Sequence, residues 1–293
     1  VRTIKSFNYS VVFFLFPFMA IYLVFQIFPL FHALFASFFK WDLLTSGMTF
    51  KGLANYTRML KDPTFWSSFF NTLKFVLYST PLLIIIGLIF AILLNKKSKV
   101  NSSFRTAFFA PYVFSVSVTT LIWGFMFNPQ KGLIGKAFTF LDLPVINWLT
   151  DPHFAMAAII ICTLWWTVGF NMILLLAGLQ DIDPFIYEAS SIDGAKWYHD
   201  FFHITVPSLK RTIELVAILQ IIASFQIFGQ VYILTKGGPG GTTRVLIQYI
   251  YETGFRDYQL GYASAMAVFL FLAMFAISLI QLTFKSEKKN AKE

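Results

Sequence analysis

The sequence predicts an all-α polytopic membrane protein that crosses the bilayer about six times, and three observations carry that prediction. Only 13% of its 293 residues are charged, where a soluble domain carries about a quarter. Phe accounts for 37 residues, more aromatic surface than one soluble core of this length buries. The apolar residues fall in six runs, each long enough to cross the hydrocarbon layer, which takes about twenty residues of helix. The single cysteine, Cys162, excludes an internal disulfide framework, and no CxxC or Cys/His cluster marks a structural metal. The formal net charge of +9 is one that a nucleic-acid-binding protein can carry. Here the basic residues flank apolar runs, so no nucleic-acid partner is expected.

In chain order the spans are expected at about 11–39, 69–94, 105–127, 154–179, 212–234 and 260–284, within one transmembrane domain over 1–293. The first is long enough to tilt, with Pro17 and Pro29 as bends. Its apolar run is too long for a cleaved signal peptide and has no small-x-small end. Two ionisable residues, Lys74 and Glu214, fall one turn into the second and fifth spans. Near a span end Lys can snorkel to the interface, and Glu214 can pair with Lys210 four residues away. His32, in the first span, has no partner evident in sequence.

Loop charge sets the expected orientation. With the N-terminus inside, the inner segments carry thirteen basic residues: Arg2, Lys5, Lys96, Lys97, Lys99, Arg105, Lys196, Lys210, Arg211, Lys285, Lys288, Lys289 and Lys292. The outer loops carry nine, so both termini are placed on the cytoplasmic side.

The inner loop 181–211 has a legible local structure. Asp183 can cap a helix that Pro184 opens, because proline fits the first helical position, where no amide donor is needed. Phe185, Ile186, Ala189 and Ile192 fall at helical spacing, and Gly194 suits a left-handed residue just past the end. A second helix is expected from about Ala195 to Thr205, stopping before Pro207. A helix-turn-helix with an apolar face suits docking into a groove of another protein.

At this loop a family resemblance becomes specific. Glu188-Ala189-Ser190-Ser191-Ile192-Asp193-Gly194-Ala195, followed by Ile204 and Pro207, resembles the EAA loop of ABC importer permeases, with Ser190 and Val206 as mild departures. Thr235-Lys236-Gly237-Gly238-Pro239 with Thr242 and Thr243 resembles the TxGGPxxxT segment of carbohydrate permeases. Trp41-Asp42, Asn55-Tyr56 and Gly261-Tyr262-Ala263 fit the same branch, which is similar to the larger permease subunit of the maltose transporter. The resemblance implies a type I importer fold whose cytoplasmic helix-turn-helix couples to ATP hydrolysis. Glu188, Ala189, Ser190, Ile192, Asp193, Gly194 and Ala195 would carry that coupling, with Glu188 as charged anchor. It also implies the partners: a second permease, two ATPase subunits with Mg-ATP, an extracellular or periplasmic solute-binding protein, and a bacterial inner membrane. The run 237–241 lacks the GK[ST] end of a P-loop, and Ala137 follows Gly135-Lys136 where Ser or Thr would be needed. No ATPase motif exists in the chain, so it is read as a transport subunit and not an enzyme, with no cofactor of its own.

The fourth and fifth spans hold the candidate path for a sugar. Carbohydrates are bound by aromatic faces against C–H surfaces and by amides and hydroxyls. The fourth span offers Trp165, Trp166, Thr167, Phe170 and Asn171 near its midpoint. The fifth offers Gln220, Ala223, Ser224 and Ile227 on one face, with Gln226 and Gln230 beside it. The resemblance aligns Thr167, Phe170, Gln220, Ala223 and Ser224 with sugar-contacting positions; Phe170 keeps an aromatic ring and Ala223 replaces one. Alternatively, the glutamines tie helices together and the tryptophans face lipid or packing partners. A secondary transporter would call for broken helices and buried ionisable residues, and the sequence offers neither. An embedded enzyme would call for clustered His, Asp or Glu, and His199 and His203 read as interface residues.

Overall fold

The computed structural model describes residues 9–44 and 47–290, with side chains over 13–44 and 47–279. Arg2, Lys5 and Lys292, and the side chains of Lys285, Lys288 and Lys289, lie outside that description. The chain folds as two compact units.

The first unit comprises the segment up to Asp62 together with Ile250–Ala273. Helix α1 (Tyr9–Tyr22) and α2 (Phe28–Ala36) are joined by a π-helical segment, Leu23–Ile27. Pro17 lies inside α1, and Pro29 lies just after the wider π winding. Phe13–Ala36 is an apolar helix with nothing of its most apolar stretch buried: Phe13 is 76% and Phe14 79% exposed. Such an all-apolar exposed surface needs lipid or another chain against it. His32, unpaired in the sequence reading, meets the Trp41 ring edge-on at 5.4 Å. Strands β1 (Phe39–Trp41) and β2 (Met48–Phe50) form an antiparallel hairpin with Lys40 opposite Thr49. Helix α3 (Ala54–Lys61) follows, and Asn55 ties its start to the hairpin by donating to the Ser37 and Phe39 carbonyls at 2.8 and 2.9 Å. Tyr262 donates to Asp62 at 2.6 Å while the Arg58 guanidinium lies 4.1 Å from the Tyr262 ring centre.

The second unit is Pro63–Tyr249 with the segment from Met274. Its axis is the pair α4 (Pro63–Leu93) and α8 (Ala155–Gln180), which bury Leu83, Ile159, Met172 and Leu175. Between them in sequence come α5 (Lys99–Val113), α6 (Val116–Met126) and α7 (Leu133–Phe140). Arg105 returns from α5 to donate to the carbonyls of Leu94, Asn95 and Lys96, in the turn just past the end of α4. After α8 come α9 (Pro184–Ile192), α10 (Trp197–His199), a π segment Asp200–Thr205, α11 (Val206–Ser208), α12 (Lys210–Phe225) and α13 (Gly229–Leu234). Helix α14 (Leu246–Tyr251) follows; the π segment Glu252–Arg256 and the start of α15 (Leu260–Asn290) belong to the first unit, and α15 from Met274 to the second.

Among the described residues four helices are long and apolar enough to cross a membrane: Phe13–Ala36, Pro63–Leu93, Ala155–Gln180 and Leu260–Leu279. The expected third and fifth spans are not continuous. The third is α5 and α6 meeting at 101° around Phe114 and Ser115. The fifth is α12, of 16 residues, and α13, of 6, parted at Gln226–Phe228. The expectation of unbroken helices is therefore corrected. Ser115 supplies a physical reason for the third: its side chain caps α6 by accepting from the Val118 amide at 3.4 Å, restarting the helix in a new direction. Lys74 also moves, since α4 begins at Pro63 and places this exposed lysine about three turns in. The expected pair of Lys210 and Glu214 is present at 3.9 Å.

Helices in lipid gain little from burying apolar surface and associate through close packing, which small residues permit. Gly169 is such a point: a Cβ there would collide with the Phe108 carbonyl, so α8 crosses α5 backbone against backbone. Gly169→Leu is expected to destabilise the bundle by about 1–3 kcal/mol, the usual cost of overpacking. Thermal unfolding of the detergent-solubilised protein checks this, and a wild-type melting curve would contradict it.

Candidate functional site

The two helix breaks face each other. Val116 opens α6 and Gly229 opens α13, and a Cβ added to Gly229 would sit 2.8 Å from Val116 Cγ2. Broken backbone frees carbonyls, which an apolar medium cannot solvate. The Phe114 carbonyl at the first break accepts a hydrogen bond from Trp166 Nε1 at 3.1 Å. The second break turns its freed amides inward, with Ile227 N donating to Ser224 O at 3.3 Å.

Between the breaks lies a cavity of about 400 Å³. Trp166, Thr167, Phe170, Asn171, Gln220, Ala223, Ser224 and Ile227, the candidate path residues read from the sequence, all line it. A hydrogen-bonded chain runs along its wall. Asn171 Nδ2 donates to Gln220 Oε1 at 3.2 Å, and Gln220 Nε2 donates to Ser224 Oγ at 3.1 Å. Ser224 Oγ in turn lies 3.3 Å from Ser79 Oγ. The glutamine thus ties α12 to α8 and also faces the cavity, so the two readings of Gln220 are compatible. Trp165 stands apart, packing edge-on to Trp123 at 6.0 Å.

Sequence reading missed Tyr112, whose ring stacks on Phe170 at 4.8 Å with 13° between planes. It also missed Phe75, Val116, Thr163, Leu219, Phe228 and Gly229, which complete the lining with the exposed Gln226 and buried Gln230. Tyr112 lies on a different span, and its proximity to Pro111 and the capping Ser115 was the available signal. No Asp, Glu, Lys, Arg or His lines the cavity. What it offers is a stacked aromatic pair and a wall of amides and hydroxyls.

The loop 181–211 forms the expected two arms. Asp183 accepts from the Phe185 amide at 3.0 Å, Pro184 opens α9, and Gly194 adopts φ +77°. The second arm differs from expectation. It starts at Trp197, winds as a π-helix from Asp200 to Thr205 and continues through Pro207 to Ser208. Proline is tolerated here at the second position of α11, within its first turn. Glu188, Ala189, Asp193 and Gly194 are exposed, Ser190 and Ala195 half-buried, and Ile192 is 85% exposed, so most of its apolar surface is left uncovered by the described residues.

Thr235, Gly237, Gly238 and Pro239 form a self-tied loop. Thr243 Oγ1 lies 2.8 Å from Thr235 Oγ1 and donates to the Gly238 carbonyl at 2.6 Å. Asn71 on α4 holds the loop through the Gly241 and Arg244 carbonyls at 3.0 and 3.1 Å. Trp41, Asp42 and Asn55 line a separate cleft of about 460 Å³ within the first unit.

An apolar helical bundle broken around a cavity that combines apolar and aromatic walls with a strip of amides and hydroxyls suits a membrane transport protein. The chain belongs to the family of binding-protein-dependent transport system inner membrane components, whose model matches residues 61–286. It is 35% identical over 268 residues to the probable ABC transporter permease protein YurN of Bacillus subtilis, covering 90% of this chain and 92% of that one. It is 35% identical over 264 residues to the trehalose/maltose transport system permease protein MalF of Thermococcus litoralis, covering 89% of each. Its fold matches a chain of a bacterial ABC transporter involved in import of the acidic polysaccharide alginate, with TM-score 0.84 at 19% identity over 95% of this chain and 96% of that one.

Trp166→Phe keeps the ring but leaves the Phe114 carbonyl without its donor. Because the bond is exposed, a loss of about 0.5–1.5 kcal/mol is expected, the net worth of an ordinary hydrogen bond, read as a lower melting temperature in detergent. An unchanged midpoint would show that the break is held by other means.

Proposed function

We propose that this permease carries a sugar or oligosaccharide and that the cavity between the breaks is its part of the translocation path. The observation that supports the reading is the convergence of the eight candidate side chains, drawn from two spans, in one cavity that no Asp, Glu, Lys, Arg or His among the described residues lines. Stacked Phe170 and Tyr112 offer a flat face to sugar C–H groups, and the oriented amides and hydroxyls of Asn171, Gln220 and Ser224 offer hydroxyl partners. A volume of about 400 Å³ falls within the range of small-molecule sites. The relative named for trehalose and maltose supports the substrate class.

The proposal extends to the rest of the machine, as membership of the binding-protein-dependent transport family implies. ATP binding and hydrolysis, with Mg-ATP, fall to two separate ATPase subunits; a second permease completes the pore, and a solute-binding protein delivers the sugar from outside. The arms 184–205 lie on the cytoplasmic side, as do both termini, and dock in the ATPase dimer. Exposed Phe185, Ile192 and Trp197 support this, at 72%, 85% and 78% exposure, because such an apolar surface beside Glu188 and Asp193 needs a partner groove. Closure of the ATPase dimer then pushes the arms and rocks α12, which carries one wall of the cavity.

Two measurements test the reading. Phe170→Ala and Gln220→Ala are each expected to raise KM for sugar uptake about tenfold, the equivalent of one lost contact of ~1.4 kcal/mol. Wild-type uptake kinetics in both variants would remove the cavity from the sugar path. Gly194→Val forces a branched residue into a left-handed turn, at about 1–3 kcal/mol. It is expected to abolish ATP-driven uptake while sugar binding to the external protein persists. Unchanged transport would contradict the coupling role of the loop.

A further inference from the structure

The two arms of 184–205 are joined by side-chain hydrogen bonds at two levels. Ser190 Oγ donates to Asp200 Oδ1 at 2.5 Å, and Tyr187 Oη lies 2.9 Å from Thr205 Oγ1. Tyr187 and Ser190 are three residues apart on α9 and share a face. Asp200 and Thr205 are five apart. In an α-helix five residues turn through about 500°, which would leave the two side chains about 140° apart. This stretch is a π-helix, and its wider i to i+5 winding returns Thr205 toward the face of Asp200. The irregular winding of the second arm is what allows it to meet α9 twice.

The apolar cover around these ties is incomplete, and Tyr187, Asp200 and Thr205 themselves line an open space. Beneath the arms lies a cavity of about 540 Å³, bounded by Ile89, Leu93 and Leu179 on one side and Trp197 and Phe201 on the other. The arms are not seated on a filled core. The covalent link between the arms runs through Gly194, a residue with nothing within 4 Å of its would-be Cβ. Without the ties, a push on α9 would be absorbed by scissoring at that turn. With the ties, it passes to the second arm. The second arm leads through Leu209, which is fully buried, directly into α12.

We propose that the Ser190–Asp200 and Tyr187–Thr205 hydrogen bonds are positioning contacts that make the two arms one rigid lever between the ATPase and the cavity wall. The proposal rests on the reading of 184–205 as the coupling element. The test uses the assembled importer, with both permeases, its ATPase subunits and its binding protein, in liposomes, and measures sugar moved per ATP hydrolysed. The double variant Asp200→Ala/Tyr187→Phe is expected to lower that ratio about tenfold, as two hydrogen bonds of ~0.5–1.5 kcal/mol each are lost. Asp200→Asn keeps an acceptor for Ser190 and Thr205→Ser keeps a hydroxyl for Tyr187, so each is expected to keep the wild-type ratio. An unchanged ratio in the double variant overturns the proposal. So does a ratio that falls only in step with loss of co-purifying ATPase, or one that the conservative variants lower equally. Gly194→Val separates the levels of failure. If it lowers the ratio and the double variant does not, the ties alone are discarded; if neither does, the coupling element itself is misassigned.

Discussion

A polypeptide in a medium without water must satisfy every backbone group it exposes, and this chain has two broken helices in one bundle. That constraint organises the second unit. The turn at Phe114 and Ser115 and the turn at Gln226–Phe228 are placed against each other through Val116 and Gly229. The Trp166 indole then closes the account at the Phe114 carbonyl. Non-helical backbone within a bilayer is stable only when its polar groups find partners in protein or in a water-filled space, and here the Trp166 indole and the Ser224 carbonyl supply two such partners. The cavity exists because the breaks do. Straight helices with the same residues would pack along their lengths and leave no room.

The same economy explains where polar residues fall. Asn171, Gln220, Ser224 and Ser79 are buried, and each satisfies the next in a chain from α8 through α12 to α4. Satisfied networks of this kind fix helix positions more sharply than apolar contact, because an unmade bond leaves a costly orphan. They also hold their donors and acceptors in fixed directions toward whatever enters the cavity. In the proposed sugar path, preorganised amides would lose little entropy on meeting a polyol.

Sequence reading recovered what local chemistry controls. Asp183, Pro184 and Gly194 are start and stop signals whose geometry depends on a few neighbouring atoms, and each behaves as its chemistry dictates. The periodicity of Gln220, Ala223, Ser224 and Ile227 placed one cavity wall, since a helix face is also a local property. The helix breaks were less legible. Hydropathy runs unbroken through 105–127 and 212–234, and only Ser115 and Gly229 hinted at a restart. Tyr112 was invisible because its stacking on Phe170 is a contact between spans far apart in sequence. The π winding of Asp200–Thr205 was hidden for another reason: Phe201, Phe202 and Ile204 fit an ordinary helix equally well, and the cross-arm hydrogen bonds show why the wider winding suits this position.

The central claim is that the space between the two breaks is the one a sugar passes through. Ala223 is exposed on its wall and stands beside Gln220 and Ser224. In the assembled importer carrying Cys162→Ser, which removes the buried native thiol, Ala223→Cys places a reporter there. Its rate of modification by a water-soluble thiol reagent is the direct measurement. The account predicts modification that the transported sugar slows and that trapping the ATPase in its nucleotide-bound state changes. A thiol that is inert in every state, or modified at one rate regardless of sugar and nucleotide, would contradict it.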